Sequence, residues 1–212
     1  MKRTTKRAWV VCIFVITLLA IDQCVKIWVK TNMCLHESIR VTDWFYISFI
    51  ENNGMAYGMT IIPKFALSAF RLVACCALVY FIGRQIREGA RTIWVALLSL
   101  ILAGALGNLI DCMFYGMIFA GSSPLYTSFP VDFGTGYAPF MQGKVVDMFY
   151  FPIIDTYLPY NLPLIGGEHF VFFAPIFNFA DSAITCGSLC VILFYRKYLS
   201  ATSKSSHTQE SK

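Results

Sequence analysis

Apolar residues in this 212-residue chain gather in four long runs. Because about 20 consecutive apolar residues cross the hydrocarbon core of a bilayer, the runs predict transmembrane helices at about 8–28, 65–83, 92–114 and 171–195. The first run follows a basic start, as in a secretory signal. No small-residue cleavage site follows it, so we expect the first helix to be retained.

Basic residues flank the apolar runs at three places and indicate the topology. Cytoplasmic loops carry an excess of Lys and Arg, so we expect both termini and the link between the second and third helices in the cytoplasm. The basic residues are Lys2, Arg3, Lys6 and Arg7 at the start, Arg84, Arg87 and Arg91 in the link, and Arg196, Lys197, Lys204 and Lys212 at the end. The longer connections, 29–64 and 115–170, then face outward.

The outer connections differ in composition. The first contains VTDWFYISFI before a turn-prone stretch, which predicts a strand or hairpin at the interface. Six prolines break any helix in the second. The tail, 200–212, is polar and rich in serine and is predicted to be disordered. The fold class is therefore an all-α integral membrane protein with four transmembrane helices and extended outer loops, in one domain, 1–199.

Composition excludes several classes of protein. Apolar residues make up 57% of the chain and charged residues only 14%, which is typical of a membrane protein and not of a soluble domain. The net charge of +5 comes with basic residues that lie beside the apolar runs, where they indicate membrane topology. No nucleic-acid partner is therefore expected. The eight cysteines and three histidines have no spacing typical of metal ligands, and no metal or cofactor is expected.

Polar residues inside the predicted helices need a partner or a function, because lipid does not solvate them. Asp22 and Lys26 are four residues apart and lie on one helical face, where they form either a structural ion pair or part of a site. Asn108 and Asp111 also share a face, after the small residues Ala103, Gly104 and Gly107, which allow close helix packing. An interior hydrogen-bonding role is expected for this pair.

Two further aspartates are candidates for chemistry. Asp181 shares a helical face with Asn178 and Thr185, about two turns inside the outer end of the fourth predicted helix, as a structural or a functional carboxylate. Asp147, in KVVDMFYF, is interpreted as a loop carboxylate in an apolar segment that dips toward the membrane. Two close carboxylates can hydrolyse a peptide bond, one activating water and the other protonating the leaving amine.

The residues alone leave three hypotheses open. The chain could be an aspartic protease of the membrane, a small proton-coupled transporter with a relay through Asp22, Asp111 and Asp181, or a non-catalytic assembly factor. The absence of HExxH and GxSxG patterns disfavours zinc and serine hydrolases.

Five blocks in order resemble the signature blocks of lipoprotein signal peptidases, also called signal peptidase II. They are IDQCVK (21–26), ENNGMAYG (51–58), GALGNLID (104–111), VVDMFYF (145–151) and FNFADSAI (177–184). The resemblance implies an aspartic endopeptidase of the bacterial inner membrane, with its site toward the periplasm. Its substrates would be prolipoproteins cleaved just before a diacylglyceryl-modified cysteine. The implied partners are membrane lipids and cyclic peptide antibiotics such as globomycin, and an outward β cradle would map near 38–60.

By matching positions, the resemblance implies Asp147 and Asp181 as the catalytic pair. The residues implied to bind substrate or support the site are Asp22, Lys26, Asn53, Gly54, Ala56, Asn108, Asp111, Asn178 and Ala180. Cys112 stands where the family usually has Arg, and Arg71 is our candidate replacement for that guanidinium. The segments around 121–140 and 152–169 are longer than is typical and are expected to enlarge the outer loops.

Overall fold

The computed structural model describes residues 3–54, 63–161, 163 and 165–209, with side chains for 4–54, 63–161, 163 and 165–194. The helices are α1 Arg3–Asn32, α2 Lys64–Arg87, α3 Thr92–Ile110, α4 Gly116–Ile118 and α5 Phe179–Gln209, and a π-helical turn, Asp111–Tyr115, joins α3 to α4. The strands are β1 Ser38–Arg40, β2 Tyr46–Asn52, β3 Val145–Tyr150, β4 Ile154–Tyr157, β5 His169–Phe172 and β6 Ile176–Phe177.

Three helices within the described residues are long and apolar enough to cross a membrane. They are Thr4–Asn32, Lys64–Arg87 and Thr92–Ile118, and they confirm the first three predicted helices. The first two extend beyond their apolar runs because the polar residues at their ends remain helical, and the third extends at its end to Ile118. The apolar part of α5 within the described side chains, Phe179–Phe194, is shorter.

The start of the fourth predicted helix is wrong. Residues from 171 were expected to be helical, but α5 begins at Phe179. The segment before it pairs instead as β5 with β4 and as β6 with β3. Its β-branched and aromatic residues favour strands, and Pro175 lacks the N–H that a helix interior requires. The apolar run therefore combines strand residues with a helix that begins later.

The predicted disorder of 200–212 is also corrected. The helix α5 continues to Gln209, through most of that segment, and residues 210–212 lie outside the described part of the chain. Ala, Ser and Lys are compatible with a helix, and extending an existing helix costs far less than starting one.

The β structure is a four-stranded antiparallel sheet in the order β1-β2-β3-β6, with β4 and β5 forming a separate pair. The β1–β2 hairpin confirms the strand or hairpin predicted from VTDWFYISFI. The interpretation of Asp147 as a loop residue is wrong, because Asp147 lies on β3, a central strand. Aspartate is disfavoured in strands and β3 is buried on both faces, so no alternation marks it in the sequence.

The chain forms two compact units. The first comprises residues 1–21, 70–107 and 180–212. Within it, α3 and α5 pack through small residues, as predicted from the run that ends at Gly107. A methyl group at Gly104 would clash with the carbonyl oxygen of Ala180 and lie 2.8 Å from Cγ1 of Ile184. Ala180, predicted as part of the packing framework, is buried at this contact.

This contact gives a prediction. Gly104→Ala should lower the free energy of unfolding by about 1–3 kcal/mol, because backbone cannot move aside as a flexible side chain can. Gly83→Ala is the matched control, since nothing lies within 4 Å of the added methyl group on α2. Thermal unfolding in detergent measures both. Equal stability of the Gly104→Ala and Gly83→Ala proteins would contradict the close packing.

The second unit comprises residues 22–69 and 108–179. Its apolar core joins the end of α1, strands β2 and β3, and the segment from the π-helical turn to Phe119. The fully or nearly fully buried members are Val29, Met33, Phe49, Tyr115, Phe119, Val146 and Met148. This core holds β3, and with it Asp147, against α1. A methyl group on Gly143 would clash with the carbonyl of Asp111, so the long segment before β3 returns closely onto the π-helical turn.

Candidate active site

Asp147 is a buried carboxylate held by strand pairing. It lies directly opposite Ile50 on β2, and its side chain is 3% exposed. Antiparallel neighbours that lie opposite each other point to the same face. A register shift between Ile47 and Ile50 separates this part of β2 from the regular pairing nearer its start. Strand register therefore decides which residues of β2 can reach Asp147.

Two amides hold the two oxygens of Asp147. Asn178 Nδ2 donates to Oδ1 at 2.7 Å, and Asn52 Nδ2 donates to Oδ2 at 3.2 Å. Asn178 is fully buried and also approaches the carbonyl oxygen of Val146 at 3.3 Å. With a hydrogen bond to each oxygen, the carboxylate is fixed in orientation.

Asn52 was not predicted from the sequence. The predicted residue, Asn53, is exposed, whereas Asn52 contacts Asp147. Asn52 is two residues beyond Ile50, and residues two apart on a strand share a face, so the strand register could have identified it. Gly54 has a positive φ of 88°, and its N–H donates to Asn52 Oδ1 at 2.8 Å, which orients the Asn52 amide. Ala56 lies outside the described residues.

Lys26 is the centre of a buried charged cluster. Its Nζ lies 3.0 Å from Asp22 Oδ2, 2.9 Å from Asp111 Oδ2 and 2.9 Å from Asn108 Oδ1. An ammonium group has three donors, and three acceptors surround this one. Both predictions, the Asp22–Lys26 ion pair and the interior hydrogen bonding of Asn108 and Asp111, are confirmed. Gln23, which the sequence did not single out, adds hydrogen bonds to both carboxylates, at 2.9 Å to Asp111 and 3.1 Å to Asp22.

The cluster is connected to Asp147. Asn178 Nδ2 donates to Asn108 Oδ1 at 3.0 Å as well as to Asp147. Asp111 Oδ2 accepts a hydrogen bond from the backbone N–H of Val146, the residue before Asp147, at 3.3 Å. Lys26 therefore anchors two groups, Asn108 and Asp111, that position the Asp147 segment.

The role predicted for Arg71 stays a prediction, and Asp111 already has a cation partner. Lys26 is the cation at Asp111, and Cys112, which stands where the family usually has Arg, is buried. Arg71 is half-buried on α2, in the first unit.

Asp181 lies in the first turn of α5 and is half-buried. The expected position, about two turns inside the helix, is corrected because α5 begins at Phe179. A carboxylate in the first turn is favoured by the partial positive charge at a helix N-terminus. Asp181 and Ala180 belong to the first unit, and Asp147 with its amide partners to the second. Along the chain, Asp181 follows Asn178 by three residues.

A second charged group surrounds Glu51 on β2. Its Oε1 lies 2.5 Å from Lys30 Nζ and accepts a hydrogen bond from Ser122 at 2.7 Å, and its Oε2 accepts one from Lys144 at 3.1 Å. Lys30 also lies 5.0 Å from the centre of the Tyr137 ring. The sequence missed Lys30, although it follows Lys26 by four residues and so shares its helical face.

Burial opposes the charge of Glu51, but the neighbouring cation of Lys30 and its hydrogen bond outweigh it and hold the pKa of Glu51 below its ordinary value. This ionised group gives a second prediction. Glu51→Gln should lower the free energy of unfolding by about 1–3 kcal/mol at neutral pH, because Lys30 loses its counter-charge.

The same shift predicts a pH dependence. A carboxylate whose pKa is lower when folded stabilises the fold above its unfolded pKa, about 4.3 for Glu, and loses that contribution as pH falls through the folded value. The stability difference between the wild type and Glu51→Gln should therefore shrink below about pH 4. Glu88→Gln is the control, because the Arg84–Glu88 pair is exposed and should contribute under about 1 kcal/mol. An equal loss at both positions would contradict the prediction.

Comparison with known proteins agrees with the blocks in the sequence. Residues 14–196 match the family described as signal peptidase (SPase) II. A lipoprotein signal peptidase of Porphyromonas gingivalis is 46% identical over 193 residues, which cover 90% of this chain and 84% of that protein. One from Amoebophilus asiaticus is 31% identical, covering 89% of this chain and 78% of that protein.

A solved bacterial membrane enzyme also has a similar fold. It aligns with a TM-score of 0.58 at 25% identity and covers 92% of this chain and 90% of its own. The similarity therefore extends over nearly the whole chain, both in sequence and in structure.

Proposed function

Because this chain belongs to the signal peptidase II family, it is an aspartic endopeptidase that cleaves the signal peptide from prolipoproteins, and we propose that Asp147 and Asp181 are its catalytic pair. The observation that carries this assignment is the pair of hydrogen bonds from Asn178 and Asn52 to the two oxygens of buried Asp147. A carboxylate fixed in this way is prepared for proton transfer and does not have to be ordered during the reaction.

Chain length supports the approach of Asp181 to Asp147. Asn178 donates to Asp147, and three residues span at most about 11 Å between Cα atoms. Asp181 is therefore tethered near a group that already contacts Asp147. In the proposed geometry, one water molecule lies within hydrogen-bond distance, about 2.6–3.2 Å, of both carboxyl groups.

The proposed reaction needs one proton shared by the two aspartates. The unprotonated carboxylate takes a proton from water while the water oxygen bonds to the scissile carbonyl carbon. The protonated partner then donates to the leaving nitrogen as the carbon–nitrogen bond breaks. The products are a new carboxyl terminus on the signal peptide and a free amine on the lipid-modified cysteine, and the pair again holds one proton.

Membrane anchoring would position the substrate. In this proposal the diacylglyceryl chains stay in the bilayer, the signal helix lies among the transmembrane helices, and cleavage occurs just before the lipidated cysteine. Fixing the depth of the scissile bond lowers the entropic cost of aligning it with the aspartates. The exposed amide of Asn53 is available to bind the substrate backbone, and Gly54 fixes the turn that presents it.

The proposed topology has four transmembrane helices, with α5 as the fourth. Both termini and the α2–α3 link lie in the cytoplasm of a bacterial inner-membrane protein, as the basic residues indicate, and the four-stranded sheet forms a cradle toward the periplasm. Membrane lipids surround the helices, and globomycin would occupy the substrate site.

The transporter hypothesis is not supported. A proton relay needs carboxylates that release and rebind protons. Asp22 and Asp111 are instead both paired with Lys26 in a buried cluster, which suits a structural role. Family membership likewise favours a peptidase over a non-catalytic assembly factor.

Purified protein incubated with a diacylglyceryl-modified prolipoprotein peptide tests the proposed function. We expect cleavage immediately before the modified cysteine and inhibition by globomycin. The same peptide with an unmodified cysteine is the control and should be cut much more slowly. Equal cleavage of both peptides, or cleavage at another bond, would contradict the proposal.

A further inference from the structure

A cavity of about 340 Å³ lies between α1 and α3 in the first unit, far along the chain from the aspartates. Its apolar wall includes Val10, Val11 and Phe14 of α1, and Val95 and Ala96 of α3. The volume is in the range of small-molecule binding sites, about 300–1,000 Å³. Val10 is 65% exposed, so the cavity opens on a helical surface that faces lipid in a transmembrane helix.

Two cations line the polar end of this cavity, Lys6 and Arg7. The guanidinium of Arg7 donates to the carbonyl oxygen of Ala90, which places it beside the start of α3. An Arg side chain has five N–H donors, so this hydrogen bond leaves others available. Among the described residues that line the cavity there are two cations and no carboxylate.

The combination of an apolar cleft with two cations at one end matches one class of molecule. We propose that the cavity binds an anionic phospholipid, with the phosphate at Lys6 and Arg7 and an acyl chain along Val10, Phe14 and Ala96. Basic pockets between transmembrane helices bind lipid head groups in this way. The N-terminus of α3, at Thr92, adds N–H groups that favour an anion.

A soluble anion and a protein segment fit these observations less well. A soluble phosphate would not use the apolar wall, which forms most of the cavity. A neighbouring helix would bring its own side chains to Val10 and Phe14, but gives no reason for two cations with no carboxylate among the described lining residues. The phosphate of an anionic phospholipid would pair with the two cations, and its acyl chain would contact the apolar wall.

Retention of lipid by the purified protein tests this proposal. The wild-type protein is exchanged into detergent with phosphatidylglycerol or phosphatidylcholine at equal mole fraction, and bound lipid is counted by native mass spectrometry. We expect phosphatidylglycerol to be retained at least about tenfold better. Glycerol 3-phosphate, added as a soluble anion, should not displace it.

Paired variants separate a site from general attraction to a basic surface. Lys6→Glu should reduce retention of phosphatidylglycerol at least about tenfold, whereas Arg87→Glu should change it less than twofold. Arg87 is an exposed residue in the last turn of α2 and does not line the cavity, so both variants change the net charge equally. Ala96→Phe, which fills the cleft, should abolish retention, while Val73→Phe on the exposed face of α2 should not.

Peptidase activity confirms that each variant is folded, since none of these residues belongs to the aspartate site. If Ala96→Phe is not folded, the comparison of Lys6→Glu with Arg87→Glu decides alone. Equal effects of those two variants, equal retention of both lipids, displacement by glycerol 3-phosphate, or a second copy of the chain in place of lipid would each overturn the proposal.

Discussion

Replacing either Asp147 or Asp181 by Asn reduces cleavage of the lipid-modified peptide by about 100- to 10,000-fold, the range that positioned general acids and bases contribute. Asparagine has nearly the shape of aspartate but can neither accept nor share the catalytic proton. Because the two carboxyl groups act as a unit, the double variant should be no slower than the slower single variant. Initial rates measured with the purified variants at one substrate concentration provide the comparison.

Asp155→Asn is the matched control for these variants. Asp155 is an exposed residue of β4 that pairs with His169, and its replacement should leave the rate within about twofold. Thermal unfolding should show that Asp147→Asn and Asp181→Asn remain folded. Activity within tenfold of the wild type in either variant would remove that residue from the catalytic pair.

Lys26→Met should produce the largest loss of stability, about 3–5 kcal/mol. The substitution keeps the length of the side chain but leaves Asp22 and Asp111 buried, 2% and 0% exposed, without their cation. The loss of hydrogen bonds to Asn108 and Asp111 should also release the Asp147 segment, so the protein that remains folded should cleave more slowly. Thermal unfolding in detergent and the rate per folded molecule measure the two effects.

Two further variants distinguish loss of charge balance from loss of packing. Lys144→Met removes a lysine that is 39% exposed and should cost much less than Lys26→Met. Neutralising the carboxylates in the triple variant Asp22→Asn, Lys26→Met, Asp111→Asn should recover part of the stability, because the uncompensated charge is gone. A Lys26→Met protein as stable as the wild type would contradict the structural role of this cluster.

Patterns among residues close together in the sequence correctly predicted three helices and the residues that share a face of one helix. Hydropathy predicted α1, α2 and α3, and spacing along one helix predicted the contact of Lys26 with Asp22. The shared helical face of Asn108 and Asp111 likewise predicted that both side chains are buried and hydrogen-bonded. Helical periodicity is set by the backbone, so residues three or four apart must share a face. These predictions needed no knowledge of other segments.

Pairing between distant segments was not predictable in this way. The contact of Asn52 with Asp147 joins β2 to β3, and a shift of one residue exchanges Asn52 for Asn53. Nothing in KVVDMFYF identifies β2 as its partner. The late start of α5 was not predicted because an apolar run alone does not show which of its residues form a strand and which form a helix. The prediction that Asp147 and Asp181 act as a pair came from the family resemblance and not from local patterns.

The distance between the carboxyl groups of Asp147 and Asp181 in a crystal structure of the protein grown from a lipid phase tests the proposed pair most directly. We predict that their nearest oxygens lie within about 6 Å, with one water molecule in hydrogen-bond reach of both. Carboxyl groups on opposite faces of the helices, with no water or substrate position common to both, would contradict the proposed mechanism.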